Sequence, residues 1–256
     1  MSDIATKLQD VYHNVERVFE AGRVAGKAEG EGDNYYDTFW DNYQNDGVVG
    51  TTGDIGARTD YRYAFAGLGW RDNTYNPKYR IKISGNAERM FTLSRISKKI
   101  EFADTSQCTS MDRMFYSAFT TEIGDINMSK VTSGSNSQYV FAQVNTSSSR
   151  LVNINKIIVS ADTVFHNTTF QNCATLTHVI FEGVIGTSGL NLKDSVVLDK
   201  ESIESIITCL SADTTGLSVT ISKAAVMTAF NTDDPDTCQE WVTLRDTKTN
   251  WTISLA

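Results

Sequence analysis

The chain has 256 residues, 40% of them apolar, so it is long and apolar enough to bury a sizeable core. Its net charge of −8 and isoelectric point near 4.9 argue against a nucleic-acid partner, because phosphate binding needs clustered lysine and arginine. The only basic cluster, Arg95 with Lys98 and Lys99, is small and typical of an exposed strand edge.

The N-terminal sequence MSDIATKLQDVYHN has neither the basic start nor the apolar stretch of a secretory signal. No apolar run reaches the roughly 18 residues that a membrane span requires. The four cysteines lie far apart without CxxC pairs, which favours reduced and mostly buried thiols. We therefore expect synthesis in a reducing compartment, and a role outside a cell only after lysis or within an assembled particle.

Residues 3–29 carry apolar side chains at alternating steps of four and three, which predicts a helix with one apolar stripe. With Ile4 at heptad position d, the d positions are β-branched, which favours three or more strands over a parallel dimer. Residues 1–30 are therefore predicted to form an oligomerisation or docking helix, with a homotrimer preferred. The alternative is an amphipathic helix lying on its own domain. The predicted interface residues are Ile4, Leu8, Val11, Val15 and Val18.

Residues 31–60 combine a short aromatic helix with a glycine-rich joint. Glycine stands at every third position from Gly47 to Gly56, but four triplets without proline are too few for a triple helix, and a flexible loop is favoured. Eleven of the 26 aromatic residues lie between Tyr35 and Tyr79. Such a cluster can be a binding platform, although packing against the open end of the first repeat is the more ordinary role. The candidate ligand-binding aromatics are Tyr35, Tyr36, Tyr61, Tyr63, Trp70 and Tyr75.

Residues 61–198 show a weak internal repeat. Phenylalanines recur at spacings of 24 to 29 residues, each followed by an alternating apolar pair, and this period predicts a solenoid in which each coil covers its neighbour. Phe91, Phe115, Phe141 and Phe170 are expected to be interior. The predicted strands of a parallel sheet are Lys99–Phe102, Lys156–Val159 and His178–Phe181.

Residues 199–256 change character and are predicted to form an α/β cap for the last coil. Asp199 can cap a helix through Leu210, and Ser222 can cap a helix that runs to Phe230. The alternation of Leu217–Ile221 predicts a strand, and so does that of residues 251–255. A further helix is expected between them, at about residues 236–248.

The search for catalytic motifs is negative. The three histidines lie far apart without metal-like spacing, and the acidic run around Pro235 lacks the glycine and distal glutamate of a calcium loop. GxSxG, HExxH and phosphate-loop motifs are absent. We therefore expect a protein that is not an enzyme, with no cofactor, catalytic residue or metal site.

Two resemblances add to this interpretation. The stretch FQNCATLTHVIFEGVIG resembles the repeat of BspA-like leucine-rich repeat proteins. The segments YYDTFWDNYQNDG, RTDYRYAFAGLGWRDNTYNPKY and SGLNLKDSVVLDKESIESIITCLSADTTGLSVTISKAAVMTAF look like a group of BspA-like proteins encoded in phages and prophages of Gram-positive gut bacteria, among virion structural genes. With the period, this implies an α+β solenoid with a leucine-rich-repeat-like parallel sheet, an N-terminal coiled-coil helix and an α/β C-terminal cap.

The resemblance also implies a location in the virion, in the tail or baseplate. The expected function is a structural protein that contacts other virion proteins and binds a host surface polysaccharide or protein through its repeats. One alternative is a purely structural decoration or connector of capsid or tail. Another is a bacterial BspA-like adhesin, which the lack of a visible signal peptide or wall anchor disfavours.

Overall fold

The computed structural model describes Arg62, residues 80–94 and residues 99–256. These residues belong to one compact unit, Thr52–Ala256. The predictions for residues 1–60, including the heptad helix and the glycine triplets, fall outside the described residues. The boundaries predicted at 30, 60 and 198 stay predictions.

The described residues form eight strands and three α-helices. The strands are β1 (Arg80–Asn86), β2 (Glu101–Ser110), β3 (Glu122–Asn127), β4 (Asn153–Val159), β5 (His178–Gly183), β6 (Asn191–Leu192), β7 (Leu217–Ile221) and β8 (Trp251–Leu255). The helices are α1 (Lys200–Cys209), α2 (Lys223–Ala229) and α3 (Gln239–Arg245). Every strand pairing is parallel, in sheets ordered β1-β2, β3-β4-β5 and β6-β7-β8.

The core between the strands and the turns that follow them is a column of phenylalanines. Phe91 stacks on Phe115 with ring centroids 5.3 Å apart, and Phe115 stacks on Phe141 at 5.8 Å. Phe141 stacks on Phe170 at 5.0 Å. All four rings are at most 1% exposed, so the prediction that they are interior is confirmed. The repeat spacing places one ring at the same position in each successive turn of chain.

Backbone hydrogen bonds hold this column in register. The N–H of Phe91 donates to the carbonyl of Met114 at 2.7 Å, and the N–H of Phe115 donates to the carbonyl of Val140 at 2.8 Å. The N–H of Phe141 then donates to the carbonyl of Thr169 at 2.9 Å. Each turn is therefore bonded to the next on the side opposite the strands.

The predicted leucine-rich-repeat solenoid with one running sheet is nevertheless wrong. The described residues contain three small parallel sheets of two, three and three strands, with three short helices. The first break follows β2, whose pairing with β1 shifts register three times. The backbones of β2 and β3 pair only through the isolated bridge of Ile100 with Ile123, and further along the Thr105 hydroxyl accepts a hydrogen bond from the N–H of Asn127 at 2.6 Å. The second break follows β5, where a helix instead of a strand lies at the sheet edge.

The predicted strands fare unequally. Lys156–Val159 lies within β4 and His178–Phe181 lies within β5, so both are confirmed. Lys99–Phe102 is only partly correct, because β2 begins at Glu101.

Helix α1 closes the open edge of β5 with side chains. Ser202 and Ser205 accept hydrogen bonds from the backbone N–H groups of Val179 and Phe181, at 2.9 and 3.2 Å. The thiol of Cys209 donates to the carbonyl of Phe181 at 3.3 Å. The three side chains are spaced three and four residues apart and therefore share one helix face. Because they occupy the edge groups of β5, the ladder ends there.

Most of the elements predicted for residues 199–256 are confirmed, but the helix expected at about residues 236–248 is an α-helix only over Gln239–Arg245, with a 3-10 turn on either side. Asp199 caps α1 by accepting from the N–H of Ser202 at 2.8 Å, and Ser222 caps α2 through the N–H of Ala225 at 3.4 Å. Trp241 on α3 is fully buried against Phe230, with ring centroids 5.6 Å apart. The Lys248 side chain donates to the carbonyls of Thr208 and Leu210, satisfying acceptors that the end of α1 leaves open.

Candidate ligand-binding surface

The site residues predicted from the sequence lie outside the described residues. This applies to the oligomerisation set (Ile4, Leu8, Val11, Val15, Val18) and to the candidate aromatics (Tyr35, Tyr36, Tyr61, Tyr63, Trp70, Tyr75). Both sets stay predictions. The described residues carry three other surfaces: a group of tyrosines and arginines on the turns, the outer face of the β3-β4-β5 sheet, and an apolar strip at a corner.

The first surface, here called the turn cluster, consists of Arg113, Tyr116 and Tyr139. The guanidinium carbon of Arg113 lies 4.9 Å from the centre of the Tyr139 ring. The Tyr116 and Tyr139 rings lie 5.9 Å apart at an interplanar angle of 75°. All three side chains are half-buried, and neither phenol oxygen has a hydrogen-bond partner among the described residues. The cluster is thus held by its own packing and still faces solvent.

The repeat explains why these residues meet. Arg113 and Tyr139 each stand two residues before a stacked phenylalanine, so they occupy the same position in successive turns. Both have positive φ, 52° and 51°, which is uncommon for residues other than glycine. Tyr116 directly follows Phe115, and because the Phe115 ring points inwards, the Tyr116 side chain lies on the outer side of the turn. The sequence did not predict this cluster, because Tyr116 lies one residue after Phe115 and Tyr139 two residues before Phe141, and no single alternation places both outside.

The charges around the turn cluster cancel. Asp112 is 2.5 Å from Arg113, and Glu88 is 3.6 Å from Arg89. Burial raises the pKa of Asp112 above its usual value, although the Arg113 guanidinium acts to lower it. The second carboxylate oxygen of Asp112 is buried and has no partner in the described part of the chain. Arg113 is therefore fixed in place by Asp112 on one side and by the Tyr139 ring on the other.

The outer face of the β3-β4-β5 sheet has its charges paired internally. Asp125 accepts a hydrogen bond from the side chain of Asn155, and Lys156 lies 2.6 Å from Glu182. Two β4 residues, Asn155 and Lys156, stand opposite the single Ile180 of β5, which lets both face outwards. The bond to Glu182 raises the pKa of Lys156. These groups satisfy one another, and the face offers few unpaired polar atoms to a ligand.

The third surface is an apolar strip along the corner where the turns lead into the strands. In the described part of the chain, six of the seven exposed large apolar side chains lie in segments that lead from a phenylalanine turn or a short strand into the next strand or into α1. Much of this corner carries few charges: there is one charged residue, Arg150, in residues 117–121, 143–152, 172–177 and 195–198. The guanidinium of Arg150 lies 5.9 Å from the centre of the Phe119 ring. The strip, here called the corner strip, consists of Leu93, Phe119, Val144, Val152, Val196 and Val197.

The polar groups that could serve chemistry are engaged in structure. His178 is 2.7 Å from Asp199, but the nearby hydroxyl of Ser202 donates to Asp199 instead of to the histidine. Burial raises the pKa of Cys108 to about 12 and also raises that of Cys173, so both thiols stay protonated. Among the described residues, no group of three or more His, Cys, Asp or Glu side chains could hold a metal ion.

No protein-family model matches the chain, and no curated protein or solved structure is significantly similar to it. The resemblance to BspA-like proteins of phages therefore stays a prediction. Within the described residues, none of the helices is long and apolar enough to cross a membrane.

Proposed function

We propose that this chain is a non-enzymatic phage virion protein of the tail or baseplate, and that it binds a ligand of the host cell surface through the turn cluster. The sequence resemblance supports the virion location. The observation that carries the binding role is the packing of Arg113 against Tyr139, with Tyr116 beside it, on the solvent side of the bonded turns.

The turn cluster is suited to binding because its parts are already ordered. The backbone beneath it is bonded turn to turn, with the N–H of Arg113 donating to the carbonyl of Gln138 at 2.8 Å. Ordered aromatic side chains lose little conformational freedom when a ligand packs on them. Their half-buried rings also offer apolar surface beside polar tips.

Self-association belongs to the same proposal. A homotrimer formed through residues 1–30 would present three turn clusters at once. Linked sites can raise overall affinity by about 10²- to 10⁴-fold without any new contact. Weak binding at each cluster is therefore compatible with firm attachment of the particle.

The test measures how much labelled full-length protein binds to intact Gram-positive host cells. The double variant Tyr116→Ala with Tyr139→Ala is expected to lose most of the binding. Phe119→Ala is the matched control, because it removes an exposed aromatic ring outside the turn cluster. Equal binding by all three proteins, or no binding by any of them, would contradict the proposal.

The corner strip favours a second candidate, a connector that holds a neighbouring virion protein and binds no host ligand. Apolar and aromatic side chains with an arginine and few other charges are typical of the core of a protein–protein interface. Val144→Asp with Val197→Asp would then block incorporation of the chain into particles, while the two-tyrosine variant would be incorporated normally. Protein gels of purified virions give this answer.

A further inference from the structure

We infer that the turn cluster recognises a neutral, hydroxyl-rich saccharide and not an anionic wall polymer. This inference rests on the proposed function, and it names the chemical class of the host ligand. Its basis is the balance of charge, the arrangement of rings and the unpaired phenol groups around Arg113, Tyr116 and Tyr139.

The charge balance disfavours a polyanion. Two acids and two arginines form the ion pairs in and beside the cluster, Glu88 with Arg89 and Asp112 with Arg113, so their formal charges sum to zero. The Arg113 guanidinium already donates to the Asp112 carboxylate at 2.5 Å, and a phosphate group would have to compete with that carboxylate. The chain as a whole carries −8, which also repels polymers of phosphodiesters.

The rings favour a ligand with C–H faces. An aromatic ring is negative on its face, so it attracts the weakly positive C–H groups of a sugar ring. Tyr116 and Tyr139 stand at 75° to each other, and the planar guanidinium of Arg113 covers part of Tyr139. The cluster therefore offers flat surfaces in two orientations, against which a sugar ring can pack with a face and an edge.

The phenol groups suit hydroxyls. Each tyrosine oxygen can both donate and accept a hydrogen bond, as a sugar hydroxyl can. Neither oxygen has a partner among the described residues, so binding breaks no protein hydrogen bond there. The other two surfaces lack this combination: the sheet face pairs Lys156 with Glu182, and the corner strip consists of apolar side chains.

The test measures binding of the full-length protein to two kinds of probe by isothermal titration calorimetry. One is a panel of neutral polysaccharides, comprising a glucan, a galactan and a rhamnan; the other is poly(glycerol phosphate). We expect at least one neutral polymer to bind, with an affinity that changes less than about twofold when ionic strength is raised tenfold. Tyr139→Ala should weaken that binding about tenfold or more, and Val184→Ala, at an exposed position outside both the turn cluster and the corner strip, should leave it unchanged.

Two further variants separate the contribution of the aromatic ring from that of the phenol hydroxyl. Tyr116→Phe and Tyr139→Phe keep the aromatic faces and remove the phenol oxygens, so each should lose part of the affinity that the alanine variant loses. Near-ultraviolet circular dichroism of each variant checks that the fold is retained.

Three results would overturn the inference: binding of poly(glycerol phosphate) in preference to every neutral polymer, saccharide binding that ignores Tyr139→Ala, or no binding to any member of the panel. If cells are still bound through the tyrosines in one of these cases, the proposed function stands and only the saccharide assignment fails. If cells are not bound at all, the proposed function itself fails.

Discussion

The hydroxyl oxygen of Ser202 accepts a hydrogen bond from the backbone N–H of Val179 at 2.9 Å. The same hydroxyl donates to the carboxylate of Asp199 at 2.6 Å, and that carboxylate caps the helix. A serine in the first turn of α1 thus ends the sheet and steadies the start of the helix. An open edge strand exposes unpaired N–H and C=O groups, and α1 covers this one with side chains instead of another strand.

Replacing Ser202 with alanine should destabilise the protein by about 1–3 kcal/mol, because a buried N–H at Val179 loses its acceptor. Ser254→Ala, at an exposed position of β8, is the control and should change little. Urea unfolding followed by tryptophan fluorescence gives both values. Equal effects of the two substitutions would mean that Val179 finds another partner.

Truncation of Phe141 should be among the most damaging single changes. Its ring is fully buried and stacked on Phe115 at 5.8 Å and on Phe170 at 5.0 Å. Phe141→Ala should lower the free energy of unfolding by about 3–5 kcal/mol through lost packing and a cavity. Phe119→Ala removes a ring that is 37% exposed and should cost far less. Thermal or urea unfolding measures the loss of stability in each variant. Equal losses in the two variants would mean that the phenylalanine column is not closely packed.

Glycine at position 117 should stabilise the protein. Ser117 has φ near 52°, and its buried hydroxyl has no partner among the described residues. Ser117→Gly removes both costs, and its only penalty is the larger entropy of a glycine in the unfolded chain, for a net gain of about 1 kcal/mol. Ser149→Gly is the contrast, since the Ser149 hydroxyl bonds Thr175 at 2.8 Å and its φ is not positive. That change should destabilise, and a drop in melting temperature for Ser117→Gly would contradict the strain argument.

Local signals in the sequence predicted the elements that depend on local chemistry. Asp199 and Ser222 stand where a capping residue must stand, and both cap their helices. The phenylalanine spacing likewise predicted the buried column, because a ring at a regular spacing takes the same position in each successive turn of chain. These features need no knowledge of distant contacts.

To predict where the sheet is interrupted and which residues form the turn cluster, one needs information that a repeat pattern does not carry. Whether Ser202 faces solvent or a strand edge depends on where α1 packs, and a serine in a helix is compatible with either. Arg113 reaches Tyr139 because the backbone at residue 113 adopts positive φ, which an arginine does not signal. The sequence therefore predicted the buried phenylalanines but was wrong to join the strands into one solenoid, because the sheet does not continue beyond either end of β3-β4-β5.

The charge on Asp199 should make the stability of the protein depend on pH. Burial disfavours its ionised form, but the hydrogen bonds from Ser202 and His178 outweigh this and leave the pKa of Asp199 below its usual value. A carboxyl with a lowered folded-state pKa stabilises the fold above its unfolded pKa of about 3.9, and that contribution is lost as pH falls through the folded-state pKa. Asp199→Asn keeps a capping side chain and removes the charge. The variant should therefore be less stable than the parent at neutral pH, and the difference should shrink below about pH 4. Urea unfolding of both proteins across this range measures it, and a gap that stays constant down to the lowest pH would assign the effect of the substitution to packing instead of charge.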